Sequence, residues 1–215
     1  MNMYFDISPT LSADTAVFPG DQKFSRSVSM DFSKGDHLEL SSMTTTPHIG
    51  AHADAPSHYH KEGAPMDQKD PRVYIGTAQV IHAKATGADL RILKQDVDLS
   101  RISAKRVLFY TGSFPNPDIW NNNFYSFAPE LLEALADQGV ELVGIDTPSV
   151  DPWDSKGLES HQVLFKRNLS VLEGLVLEGV PEGIYKLVAP PLKIKDGDAS
   201  PVRALLFSDQ DWARL

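Results

Sequence analysis

Between Pro129 and Asp146 the chain reads PELLEALADQG and then VELVGID, a helix pattern running directly into a strand pattern. Pro129 suits the first helical position, where its missing N–H costs nothing. Leu131, Leu132, Leu135 and Ala136 form one apolar face, and Gly139 suits the position beyond the end. The seven residues that follow are mostly β-branched or apolar and too few for a second helix, so they read as a buried strand. A helix delivered into a buried strand needs a sheet beside it, which makes the chain α/β at this point.

TAQVIHA (77–83) and KRVLFYT (105–111) read as further buried strands, and a second short helix is expected near 160–168. In the first third, Phe24, Val28 and Met30 share one parity, and an alternating run starts at Leu38 and Leu40 and continues to Thr46. Pro19-Gly20-Asp21 marks a turn before them. From Val171 to Phe207 the pattern returns to strands broken by Gly and Pro. The expected fold is a β-rich α/β single domain spanning 1–215, with few helices.

Composition removes several functions. No window approaches eighteen consecutive apolar residues, so no membrane helix is expected. The start, MNMYFDISPT, lacks a basic stretch followed by an apolar run, so no signal peptide is read and a cytoplasmic location is expected. A net charge of −9 with scattered Lys and Arg argues against nucleic acid as a partner. With no cysteine, disulfides and thiolate metal sites are excluded, and any metal must be held by His, Asp or Glu.

Such residues are concentrated in HIGAHADAPSHYH (48–60), which holds four of the seven histidines. His48, His52, Asp54 and His58 share parity, but a straight strand would set His48 and His52 about 13 Å apart, too far to share one ion. The segment must bend, and Gly50 can take the unusual backbone conformation required. Pro47 and Pro56 argue against one continuous helix. Imidazole and carboxylate suit zinc or manganese, and a carboxylate has two oxygens with which to bridge two ions. His58, past the stiff Ala55-Pro56 step, suits a base near the metals. His60, His37 and His82 read as ordinary polar positions.

The pattern H-x-G-x-H-x-D-x-P-x-H resembles the signature of the metal-dependent cyclase superfamily. DISPTLS (6–12), FPGD (18–21), IDTPSVDP (145–152), SK-x-L-x-x-H (155–161), LEGLVLEGV (172–180) and DASPVRA (198–204) are similar to its kynurenine formamidase branch. The resemblance implies a swivelling β/β/α fold, a cytoplasmic homodimer or higher homo-oligomer, and two zinc ions per subunit, with manganese as the alternative. One ion would be held by His48, His52 and Asp54, the other by Asp54, His161 and Glu173; motif order selects Glu173 over Glu178. His58 would be the catalytic acid and base beside a metal-activated water, in hydrolysis of N-formyl-L-kynurenine to L-kynurenine and formate. Phe18 would bind the aryl ring, standing where the branch commonly carries tryptophan; phenylalanine keeps an aromatic face but has less area and no indole N–H. The alternatives are another amidohydrolase of the superfamily, such as an isatin hydrolase, and a non-catalytic metal-stabilised binding protein. The sequence contains neither G-x-S-x-G nor H-E-x-x-H.

Overall fold

The computed structural model describes residues 4–87 and 89–214. In chain order its strands are β1 (Phe5–Asp6), β2 (Ser25–Met30), β3 (Leu40–Thr44), β4 (His52–Asp54), β5 (Ile75–His82), β6 (Arg91–Ile92), β7 (Arg106–Tyr110), β8 (Ser126–Phe127), β9 (Leu142–Ile145), β10 (Ser170–Leu172), β11 (Gly183–Val188), β12 (Ala199–Pro201) and β13 (Leu205–Phe207). The α-helices are α1 (Pro56–Tyr59), α2 (Pro129–Asp137), α3 (Glu159–Arg167) and α4 (Asp209–Trp212). The fold is mixed α/β, as the helix-to-strand pattern at 129–146 requires.

Seven strands form the main sheet in the order β1-β13-β11-β5-β7-β9-β10. The half from β5 to β10 is parallel, and β11, β13 and β1 add antiparallel pairs. Alternation along the strands divides the apolar side chains between two cores. Val107, Phe109, Val143, Ile145 and Val171 face the helices, where Leu131, Leu132 and Leu135 of α2 and Leu164 of α3 cover them. Val80, Leu108, Leu142 and Leu172 face the other way, against Ala51, Ala53 and Ala55 around β4. Each fully buried leucine contributes roughly 1.5–3 kcal/mol of transfer free energy.

The alanines let β4 lie close to the sheet. It pairs with β12, and His52 bridges Glu173 just past the end of β10. Mutual backbone bonds, His52 N–H to the Glu173 carbonyl (3.1 Å) and Glu173 N–H to the His52 carbonyl (2.9 Å), join the motif strand to the sheet edge. Two distant acid- and histidine-bearing segments are thereby placed side by side.

The early strands stand apart as the ribbon β2–β3. The run expected from Leu38 to Thr46 is shorter, because Asp36 and Asp31 close the turn before Leu40 and the chain bends away after Thr44. Two short helices, α1 and α4, have too few residues to leave a periodic signature.

Candidate metal centre and active cavity

The bend predicted within the histidine cluster falls at Gly50, whose φ is +56°. A side chain there would strike Leu11 and Pro9, with its Cβ 2.7 Å from Leu11 Cδ2. Gly174, at φ +63°, has the complementary role: a Cβ on it would lie 2.1 Å from the Gly50 carbonyl oxygen. Two glycines in backbone contact bring the motif turn against the residue that follows Glu173. The chain then enters β4, where His52 and Asp54 project to one side and Ala53 to the other. Pro56 starts α1 and carries His58 round to the same region.

His161 arrives on the first turn of α3, which is organised by Asp151. One Asp151 oxygen accepts the Ser160 N–H (3.0 Å); the other accepts the His161 N–H (3.0 Å) and the His161 ring Nδ1 (2.8 Å). This carboxylate therefore caps the open N–H groups of the helix and fixes the ring together. Arg91 backs it at 3.3 Å. With Nδ1 engaged, His161 Nε2 points inward, 3.4 Å from Asp54 Oδ2 and 3.6 Å from Glu173 Oε1. His52 is set in the same way: Nδ1 donates to the Gly50 carbonyl (2.9 Å), leaving Nε2 3.2 Å from Glu173 Oε2 and 3.5 Å from Asp54 Oδ1. A ring nitrogen tied to a carbonyl or carboxylate, with the other left free, is the usual support of a metal-ligating histidine. His48 Nδ1 lies 3.0 Å from Asp54 Oδ1, and its Nε2 lies 3.1 Å from Asp198 Oδ2.

His52 Nε2, His161 Nε2 and both Asp54 oxygens are buried without a hydrogen-bond partner. Orphaned polar atoms cost free energy unless something fills the space between them. Four of them converging from imidazole and carboxylate groups fit a divalent metal cofactor, with Asp54 offering one oxygen to each side. The electrostatics agree. Burial disfavours charge on His48, but Asp54 and Asp198 outweigh it and lift the ring to about 9. Burial acts likewise on His161, and Asp151, Asp54 and Glu173 lift it to about 10. Burial would raise Asp54, but His161 and His48 hold its carboxyl well below the usual range. The site thus gathers positive charge around its carboxylates, by protons when no cation is present.

All six predicted residues of the centre are brought together, but reach groups them differently from the motif order. His48, Asp54 and His58 can converge on one point, and His52, Asp54 and Glu173 on another. His52 therefore faces Glu173 as well as Asp54. His60, read as an ordinary polar position, lies outside both groups: it is a partly exposed loop residue whose ring stacks on Phe165 at 3.6 Å. Glu178 is exposed at the cavity mouth, whereas Glu173 is buried at its floor. Asp151 and Asp198 were missed as site residues, although both lie in segments that carry the family resemblance. Neither falls within the histidine motif, and only folding brings them to it.

The cluster floors a cavity of about 290 Å³, with Phe18 on its wall. Phe18 is partly exposed and touches Trp120 edge to face.

Histidines and carboxylates meeting where a motif strand joins the edge of a mixed sheet fit the class of proteins that hold a divalent metal there. Residues 5–152 match the Cyclase family model ("Putative cyclase"). The kynurenine formamidase of Delftia acidovorans is 43% identical over 202 residues, covering 94% of this chain and 96% of that protein. The kynurenine formamidase of Bordetella petrii is 42% identical over 208 residues, covering 96% and 98%. Among solved structures, a potential metal-dependent hydrolase with cyclase activity superposes with TM-score 0.80 at 28% identity, covering 95% and 96%. An isatin hydrolase bound to the product analogue thioisatinate superposes with TM-score 0.82 at 22% identity, covering 95% and 92%, a likeness of fold. The chain belongs to the cyclase family and, within it, to the kynurenine formamidases.

Proposed function

We propose that this chain hydrolyses N-formyl-L-kynurenine to L-kynurenine and formate, as one metal-dependent domain spanning 1–215. The observation that carries the reading is the meeting of orphaned ligand atoms with an aromatic wall in one cavity, in a chain so similar to kynurenine formamidases. His48, His52 and Asp54 would hold one ion, and Asp54, His161 and Glu173 a second; zinc is the metal proposed, with manganese the alternative. A bound divalent ion supplies Lewis acidity and a lowered pKa for the water it holds. His58 passes a proton to the arylamine nitrogen as the C–N bond breaks. Burial pushes its imidazole below the ordinary value, which favours the neutral ring that first accepts a proton. Phe18 receives the aryl ring.

The test is turnover of N-formylkynurenine beside isatin on protein loaded with zinc or manganese, with metal quantified in the same samples. Formylkynurenine turnover with about two equivalents of metal is expected. Rapid isatin opening with negligible formylkynurenine turnover would transfer the reading to a cyclic-amide hydrolase.

The same proposal makes the protein a cytoplasmic homodimer or higher homo-oligomer. No helix among the described residues is long and apolar enough to cross a membrane. The β2–β3 ribbon supports association: Leu40 is 53% exposed and Met43 68%. An isolated two-stranded ribbon is marginal in water, and Leu40 and Met43, of opposite parity on β3, would bury apolar area from both of its faces at a subunit contact. Light scattering on protein from the soluble cell fraction should give at least twice the chain mass. The Leu40→Asp/Met43→Asp double variant should give the monomer; a monomeric parent protein would refute the assignment.

A further inference from the structure

The aromatic wall of the cavity comes from two loops distant in sequence. Phe18 lies in the N-terminal loop and Trp120 in the connection from β7 to β8, and both line the cavity that contains His58. Their rings meet edge to face, with centroids 5.2 Å apart and planes at 71°. The loops are joined by the Ala16 N–H, which donates to the Pro117 carbonyl at 2.9 Å. Trp120 is fixed by its own loop: its indole N–H donates to Asn122 Oδ1 (2.6 Å), and Phe114 and Phe124 pack against it edge to face at 6.1 and 6.0 Å.

Two nearly perpendicular rings make a corner, which offers a planar guest one face to stack on and one edge to abut. Both are favoured arrangements for an aromatic quadrupole. The indole N–H is already engaged by Asn122, so Trp120 presents apolar area and shape to the cavity. No Lys or Arg occurs among the described lining residues, so neither an ammonium nor a guanidinium is there to grip a substrate carboxylate. The aromatic corner is then the principal means by which the protein's own side chains can hold the organic part of the substrate.

We infer that Trp120 is a specificity-determining residue: with Phe18 it forms an aryl-binding corner that selects aromatic over aliphatic formamides. The inference rests on the arylformamidase reading above. Trp120 binds and orients the ring, and has no part in proton transfer or in holding metal.

The experiment compares kcat/KM for N-formylaniline and N-formylbutylamine in metal-loaded wild-type protein and in Trp120→Ala, Trp120→Phe and Trp120→Ala/Phe18→Trp. Changes in the aryl-to-alkyl ratio cancel the intrinsic reactivity of the two amides. In Trp120→Ala the ratio should fall about tenfold, mainly through KM for the aryl substrate, with metal content unchanged. Trp120→Phe should lose less, and Phe18→Trp should restore part of the loss in the double variant. If both substrates decline in parallel in Trp120→Ala and Trp120→Phe, Trp120 supports only the cavity structure and the inference is overturned. A wild-type aryl preference that persists unchanged in Trp120→Ala overturns it as well, leaving the formamidase reading intact. Wild-type protein that turns over no aryl formamide removes that reading and the inference together.

Discussion

His58→Ala should keep its full metal content and lose turnover by about 10²- to 10⁴-fold, the range for removing a positioned acid–base group. His58 is placed unlike the other members of the cluster. It sits in α1 with its side chain 36% exposed, whereas those of His52, Asp54, His161 and Glu173 are at most 3% exposed. Its ring centroid lies 4.2 Å from that of His48 and 6.2 Å from that of His161, so it overlooks the centre from the cavity side. Among the described residues no carbonyl or carboxylate fixes one of its nitrogens in the way Gly50 fixes His52 and Asp151 fixes His161. Its nearest acid, Asp198, is 3.9 Å from Nδ1, beyond hydrogen-bond distance. A group that must gain and lose a proton needs such freedom, whereas a ligand needs fixed orientation. The competing reading is concrete, since His48, Asp54 and His58 are close enough to share an ion. Elemental analysis of the variant separates the two. Loss of an equivalent of metal with the activity makes His58 a ligand, and full activity in the variant removes it from the chemistry.

What was readable in the sequence was whatever depends on neighbours along the chain. The α2 helix, its following strand and the strands at 75–82 and 106–110 are written in local periodicity and show in the fold. The bend at Gly50 was legible because four residues of extended chain cannot bring two imidazoles together. The supports of the centre were not legible. Asp151 acts on a histidine ten residues later, Arg91 backs that aspartate from sixty residues away, and Asp198 meets His48 from one hundred and fifty. None of these separations has a period. The last of them follows from β4 lying between β12 and Glu173, a long-range pairing that the small Ala51, Ala53 and Ala55 permit. The meeting of Phe18 with Trp120 belongs to the same class. Neither loop contains a signal pointing to the other, and only the folded chain closes the corner.

Asp54→Asn should empty the whole centre, whereas His161→Ala should empty one side of it. Asp54 is the member shared by both proposed groups of ligands: Oδ1 faces His48 and His52, and Oδ2 faces His161. Asparagine preserves the shape but replaces one acceptor oxygen with an amide nitrogen that can only donate, and it removes the negative charge. A donor N–H turned towards a cation on either side is repulsive, and flipping the amide only moves the conflict to the other side. The strand should survive the change, because β4 is held by backbone pairing with β12 and Glu173. Metal content in Asp54→Asn should therefore fall from about two equivalents to near zero, with turnover falling to background and an unchanged far-UV circular dichroism spectrum. In His161→Ala about one equivalent should remain, because His48 and His52 still face Asp54 Oδ1. The contrast between the variants is the informative result. Two equivalents retained in Asp54→Asn would mean that Asp54 bridges nothing, and equal loss in both would mean that the two sides fill only together.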